Sequence, residues 1–262
     1  MLRLASHAHV DSGTTDSMET IAITTRDGTC RAYTYRPAGA GPWPAVLVFM
    51  DGLGIRPAML EIGERLATYG YYVLLPDLFY RSGDYAPMDA HHVFGDPAKR
   101  KELMDKFVAL ATPANIMSDT AAFLAHLEAQ DEVKPGRIGT TGYCMGGLMS
   151  LTAAGTYPER IAAAASYHGG RLASEAPDSP HRLAAHMQAR VYVAGAIDDA
   201  SFPDDMKQRL EDTLSAAGVA HTVETYPAKH GWVLRDMPVY DAAAAEHHWQ
   251  TLLALFDATL KP

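Results

Sequence analysis

The chain predicts an α/β fold: a mostly parallel sheet with helices on both faces and an antiparallel hairpin at its N-terminal end. Three observations carry this expectation. Apolar runs of strand length alternate with amphipathic stretches along most of the sequence. Several runs, Pro44 to Met50 foremost, are apolar throughout, which marks strands buried on both faces rather than one. With 262 residues, 48% of them hydrophobic, there is material for a sizeable core.

The elements follow in order. Residues 1–18 carry Ser-Gly-Thr-Thr-Asp-Ser near their end and read as a flexible leader, and residues 19–262 read as one α/β domain. Thr20 to Thr25 and Cys30 to Tyr35, split by Asp27-Gly28, read as the hairpin. After the Pro44–Met50 strand, Met59, Ile62, Leu66 and Tyr69 fall at helical spacing. Tyr71 to Leu75 is the next buried strand, closed by Pro76-Asp77. Residues 78 to 95 read as an irregular loop, and long loops in compact domains usually serve function. Helices are expected from Pro97 to Ala111 and from Pro113 to about Gln130. A strand at Arg137 to Thr141 precedes a helix rich in small residues, Met145 to Thr156. Ile161–Tyr167, Arg190–Ala194 and His221–Tyr226 read as further strands. The last helix sets Trp249, Leu252, Leu253, Phe256 and Leu260 on one face.

Charge and cysteine usage narrow the function classes. There are 22 basic and 31 acidic residues, a net charge of -9, with no basic run, which argues against nucleic acid and against an anionic membrane surface. Two cysteines make no disulfide framework and fit a reducing compartment. No apolar run approaches the ~18 residues that a spanning helix needs. The N-terminus lacks the apolar stretch of a secretory signal. The expectation is a soluble cytoplasmic protein, a monomer or small homo-oligomer.

The sharpest chemical feature is Thr141-Gly142-Tyr143-Cys144-Met145-Gly146-Gly147, set between an expected strand and an expected helix. This is the Gly-x-nucleophile-x-Gly elbow of α/β-hydrolases, with cysteine in place of the usual serine. The glycines two residues either side of the nucleophile let strand and helix approach. The helix N-terminus then points at Cys144, its dipole favours a thiolate, and the free N–H of Met145 can stabilise an oxyanion. A cysteine nucleophile needs a base, and the base an orienter, in the chain order nucleophile, acid, histidine. Val191 to Asp198 ends a strand with an acid, and Ala228-Lys229-His230-Gly231 follows a strand ending at Tyr226-Pro227. Both lie at C-terminal strand ends, where α/β sheets bind ligands. Asp198 is favoured as the orienter over its neighbour Asp199.

From about residue 20 to its end, the chain resembles the dienelactone hydrolases (carboxymethylenebutenolidase-like). Gly142-Tyr-Cys144-Met-Gly-Gly147 is similar to the nucleophile segment of that family, and Pro76-Asp-Leu-Phe-Tyr-Arg81 to its Pro-Asp-Leu-Tyr-x-Arg stretch. Gly195-Ala-Ile-Asp198 and His230-Gly231 match the segments of its acid and histidine. The resemblance implies an α/β-hydrolase with Cys144, Asp198 and His230 as triad, and with Arg81 binding a substrate carboxylate. It implies an anionic lactone or ester as substrate and no cofactor. Where the family places a thiol-activating glutamate this chain has Asp51, in Met50-Asp51-Gly52-Leu53-Gly54, so Asp51 is either that activator or a turn residue. The N–H of Gly52, or of Leu53, is expected as the second oxyanion donor.

The remaining candidates are minor. His91-His92 and His247-His248 are adjacent pairs that do not share a helix face, and no metal site is expected. His168-Gly169-Gly170 is expected to shape the pocket floor near the nucleophile. Tyr80, Tyr85 and Trp232 either line the pocket or plug loop packing, and Cys30 is expected to be a packed, inert thiol. The chemistry expected is hydrolysis of a small lactone or ester through an acyl-enzyme. Two alternatives stand beside it: a broad carboxylesterase, with Arg81 as a structural ion pair, and a redox-sensing thiol protein on the same fold.

Overall fold

A computed structural model describes residues 18–261, so the expected leader lies outside the described residues apart from Met18. The N-terminal hairpin forms as expected: β1 (Met18–Thr25) and β2 (Gly28–Tyr35) pair antiparallel, with Ile23 opposite Cys30. β2 then pairs antiparallel with β4 (Tyr72–Pro76), which joins the hairpin to a parallel array. That array comprises β4, β3 (Ala45–Phe49), β5 (Ile138–Tyr143), β6 (Ile161–Tyr167), β7 (Arg190–Ala196) and β8 (His221–Tyr226). The full order across the eight-stranded sheet is β1-β2-β4-β3-β5-β6-β7-β8. All five residues of β3, all six of β5 and all seven of β6 are buried, which is why none of these strands alternates between apolar and charged residues, although β5 fills its place with glycine and threonine.

Seven helices connect and cover the described strands. α1 (Pro57–Thr68) buries Met59, Ile62 and Leu66, the stripe its spacing indicated. α2 (Ala90–Gly95) lies within the segment expected to be irregular. Its N-terminus is made by Asp89, whose side chain accepts the N–H of His92, a local capping signal too short to stand out from a loop. The helix expected over Pro97–Ala111 is broken. α3 (Pro97–Glu102) gives way to a π-helical turn at Leu103–Phe107 and a 3-10 turn at Val108–Leu110. α4 (Pro113–Glu128) starts at a proline behind Thr112, whose hydroxyl accepts the Asn115 N–H at 3.2 Å. α5 (Met145–Thr156) is almost wholly buried, and α7 (Ala242–Leu260) buries Trp249, Leu252, Phe256 and Leu260. α6 (Asp204–Ala216) is a helix that the sequence pattern does not predict. It buries only Lys207, Leu210 and Leu214, too narrow a stripe to register as an apolar period.

This arrangement brings the C-terminal ends of β3, β5, β6, β7 and β8 to one edge of the sheet, where the loops carrying Asp51, Cys144, His168, Asp199 and His230 begin.

Candidate active site

Cys144 is built into the turn between β5 and α5. Its backbone stands at φ 52° and ψ -115°, a region L-residues visit rarely, at a strain of roughly 1–3 kcal/mol. Close packing holds it there. A Cβ on Gly142 would lie 1.9 Å from the carbonyl oxygen of Gly146, and one on Gly146 would lie 2.2 Å from that of Phe49. Both positions therefore require glycine, and the elbow sits directly against the end of β3. The Cys144 N–H is shared between the carbonyl oxygen of Tyr167 and Nδ1 of His168, each at 3.1 Å. The thiol itself is half-buried.

His230 lies beyond the end of β8, flanked by Cys144 and an acid. That acid is Asp199. His230 Nδ1 stands 2.7 Å from Asp199 Oδ2, which leaves Nε2 for the thiol. The expectation that Asp198 holds the imidazole is corrected. Asp198 sits at φ 52° in the turn after β7, and its carboxylate faces outward to Lys229 Nζ at 2.9 Å. Its side chain is 74% exposed, against 5% for Asp199. Successive side chains diverge, so only one of the two can enter the site, and the left-handed turn at Asp198 turns the second inward. Ser201 completes the acid's shell, donating its N–H at 2.8 Å and its hydroxyl at 2.7 Å to Asp199 Oδ1. Ser201 was not anticipated. An Asp-x-Ser turn is the only trace it leaves in the sequence.

These contacts polarise the pair. Burial pushes the Asp199 carboxyl up, but hydrogen bonds from His230 and Ser201 outweigh it and bring it down to about 2. Burial alone pulls His230 down. Its hydrogen bonds and charge interactions with Asp199 and Cys144 reverse that, and its pKa rises to about 10. The site thus favours the protonated form of the imidazole, next to the half-buried Cys144.

Asp51 occupies the loop expected of a thiol activator but is committed elsewhere. Both of its oxygens are held by Arg56, at 2.7 and 2.9 Å, and Oδ1 also accepts the Leu53 N–H at 3.0 Å. Among the described residues no hydrogen bond joins Asp51 to Cys144. Arg56, with its side chain only 1% exposed, also binds Asp236 at 2.5 Å and thereby ties the loop after β3 to the segment following His230. The activator reading of Asp51 is corrected to a structural one: aspartate is short, and a buried guanidinium satisfies both its oxygens locally. A charged residue inside the apolar Gly54–Met59 stretch was the available signal for Arg56. Nothing local pointed to Asp236. Because Leu53 N–H is taken by Asp51, Gly52 is the member of the expected donor pair whose N–H has no partner among the described residues. Met145 opens α5, where a first-turn N–H has no helical acceptor.

Arg81 is not free to clamp a substrate carboxylate. Its Nη1 and Nη2 donate to Asp119 at 2.6 and 2.8 Å, and its Nε and Nη2 donate to Asp27 at 3.1 and 2.7 Å. Asp119, on α4, is fully buried and also accepts from the Tyr80 hydroxyl at 2.9 Å. The carboxylate-binding expectation is corrected to an ion pair joining the β1–β2 turn to α4. Tyr85 likewise braces the loop after β3, accepting the Ile55 N–H at 2.9 Å and donating to Asp77 at 2.8 Å. Trp232 is fully buried against His168, their ring centroids 4.9 Å apart. These aromatics pack the loops. Cys30 is buried, and burial raises its thiol far above the usual range. Among the described residues no cluster of three or more His, Cys, Asp or Glu side chains is placed to hold a metal ion, and no single helix is long and apolar enough to cross a membrane.

A mostly parallel sheet with this strand order, opened by an antiparallel hairpin and carrying a tight strand–turn–helix elbow between β5 and α5, defines an α/β-hydrolase. Residues 30–260 match the model of the dienelactone hydrolase family, and the chain belongs to that family. A protein of Methylorubrum extorquens provisionally named carboxymethylenebutenolidase is 29% identical over 237 residues, covering 88% of this chain and 78% of its own. A protein of the same provisional name from Synechocystis is 29% identical over 235 residues, covering 87% of this chain and 92% of its own. Among solved structures, a provisionally assigned dienelactone hydrolase from Klebsiella pneumoniae superposes with a TM-score of 0.79 at 26% identity. That match covers 91% of this chain and 97% of the other. Family membership makes the protein a hydrolase of esters or lactones.

Proposed function

We propose that the protein hydrolyses a small lactone or ester through a Cys144–His230–Asp199 triad and a thioester intermediate. One observation supports this above the others: the His230 imidazole stands between the elbow cysteine and a buried carboxylate, which bonds it at 2.7 Å. His230 takes the proton from the Cys144 thiol as the sulfur attacks the substrate carbonyl. The carbonyl electron pair moves onto oxygen, and the N–H groups of Met145 and Gly52 receive the oxyanion. As the tetrahedral adduct collapses, the carbon–oxygen single bond breaks and the leaving alkoxide takes the proton from His230. In a lactone that alkoxide stays tethered to the acyl group. Neutral His230 then removes a proton from water, the resulting hydroxide attacks the thioester, and the thiolate departs with the acid formed. Asp199 keeps Nδ1 protonated throughout, so Nε2 is the nitrogen that exchanges protons. The scheme requires no cofactor.

Because Asp27 and Asp119 occupy Arg81, this reading sets no requirement for a substrate carboxylate at that residue. The same observation favours a second reading, a broad carboxylesterase acting on other small acyl compounds. Both are tested by measuring kcat/KM on a dienelactone and on a neutral p-nitrophenyl ester. A preference for the lactone by ten-fold or more supports the first reading, and equal or reversed preference supports the second. Cys144→Ala should lower turnover of either substrate by about 10³-fold or more. Wild-type turnover in that variant overturns both.

A further inference from the structure

A second histidine lies beneath the nucleophile, and the hydrolytic scheme gives it no part. His168 follows β6 at φ 41°, a left-handed backbone that turns its side chain back under the elbow. The ring is 1% exposed and packs between His230, at 5.2 Å between centroids, and Trp232, at 4.9 Å. Its Nδ1 accepts the N–H of Cys144 at 3.1 Å. A nitrogen that accepts carries no proton, so His168 is the neutral tautomer with its proton on Nε2. That Nε2 is buried and has no partner among the described residues.

This pairing is informative. A buried donor without an acceptor destabilises a fold, and an apolar side chain of similar size would avoid the penalty. What an apolar residue cannot do is accept the Cys144 N–H. That N–H belongs to the strained residue carrying the sulfur, and its other acceptor is the carbonyl oxygen of Tyr167, the residue preceding His168. His168 thus supplies half of the anchorage at the one backbone position whose orientation decides where the thiol points.

We propose that His168 is a positioning residue for the nucleophile: its Nδ1 accepts the Cys144 N–H and holds the elbow in the rotation that presents the sulfur to His230. The proposal rests on Cys144 being the nucleophile. It predicts a loss in the chemical step without a matching loss in substrate binding or folding, because His168 is buried and its bond is to the backbone of Cys144.

The test uses a pair of substitutions of similar branched shape in the full-length protein. In His168→Asn the amide oxygen can occupy the position of Nδ1 and accept the same N–H, whereas His168→Leu has no acceptor. With a p-nitrophenyl ester as substrate, His168→Leu should lower kcat by about 10- to 100-fold with KM changed less than three-fold. Its melting temperature should change little, the loss of the unpartnered nitrogen offsetting the poorer fit of leucine to the left-handed backbone, and its rate of alkylation by iodoacetamide should fall alongside kcat. His168→Asn should recover most of the lost kcat. If the leucine variant does not fold, His168→Gln takes its place, because its longer side chain carries the oxygen past the Nδ1 position; it should behave as the leucine variant is expected to. The proposal is overturned if the acceptor-free variant keeps wild-type kcat, or if the asparagine variant folds and loses as much kcat as the variant without an acceptor. Cys144→Ala is run in parallel. Activity surviving there refutes the nucleophile assignment itself, whereas an inactive Cys144→Ala beside an unaffected acceptor-free variant refutes only the role of His168.

Discussion

Replacing Asp199 by asparagine tests the triad geometry at a single atom. The wild-type carboxylate divides its work: Oδ1 accepts two hydrogen bonds from Ser201, at 2.8 and 2.7 Å, and Oδ2 accepts one from His230 at 2.7 Å. An amide has only one oxygen. The two donors on Ser201 draw that oxygen to their side, which turns the NH2 group toward His230 Nδ1. Nδ1 must then accept, the imidazole proton moves to Nε2, and the nitrogen facing Cys144 becomes a donor that cannot take a proton. The shape of the side chain is unchanged, so the loss falls on tautomer and charge. The expected fall in kcat is about 10³- to 10⁴-fold. That corresponds to about 4 to 5.5 kcal/mol of transition-state stabilisation, at about 1.36 kcal/mol per decade. Asp198→Asn is the matched control. It removes only an ion pair whose partners are 74% and 60% exposed, of a kind contributing about 0–1 kcal/mol, and kcat should change less than about two-fold. Steady-state rates on a p-nitrophenyl ester, with circular dichroism to confirm folding, decide the matter. If Asp199→Asn keeps kcat within three-fold of wild type, or Asp198→Asn falls as far, the assignment of the orienting acid is wrong.

Further outcomes are expected elsewhere in the molecule. Arg81→Ala leaves Asp119, fully buried, without its countercharge, which should destabilise the protein by about 3–5 kcal/mol and lower Tm by roughly 6–20 °C. Its kcat/KM should fall equally for anionic and neutral substrates, and a selective loss for anionic ones at unchanged Tm would restore the carboxylate clamp. Gly146→Ala brings a Cβ to 2.2 Å from the Phe49 carbonyl oxygen and 2.5 Å from that of Met50. Since both obstacles are backbone, soluble yield or Tm should drop sharply, and a variant of wild-type stability would contradict the packing of elbow against β3. The raised pKa of His230, about 10 against an ordinary 6.5, means that its contribution to stability is complete below about pH 6.5 and disappears as pH climbs through about 10. Asp199, lowered to about 2, behaves in the opposite sense, its contribution present above about pH 3.8 and lost as pH falls through about 2. Thermal melts of wild type and His230→Gln should therefore differ most near pH 6 and converge toward pH 10; a constant gap would mean that the imidazole is not held as a cation.

What the sequence determined by itself was the frame and its chemically decisive point. A doubly buried strand such as β3 declares itself as an unbroken apolar run, because both of its faces meet protein. The elbow is equally legible, since Gly142 and Gly146 answer backbone contacts within a few residues of Cys144 or at the neighbouring strand end. His230 could be placed by chain order and by its position after β8. Tertiary structure decided the rest. Asp198 and Asp199 are neighbours of identical chemistry, and only the backbone rotation after β7 selects the one that faces His230. Arg81 and Asp51 carry the charges their positions suggested, yet both are neutralised by partners that local pattern does not show: Asp119 on α4 for Arg81, and Arg56 for Asp51, itself braced by Asp236. A side chain's type is a local property of the chain. Its partner is chosen by which segments the fold brings within about 3 Å of it, a hydrogen-bonding distance that distant sequence positions cannot reveal.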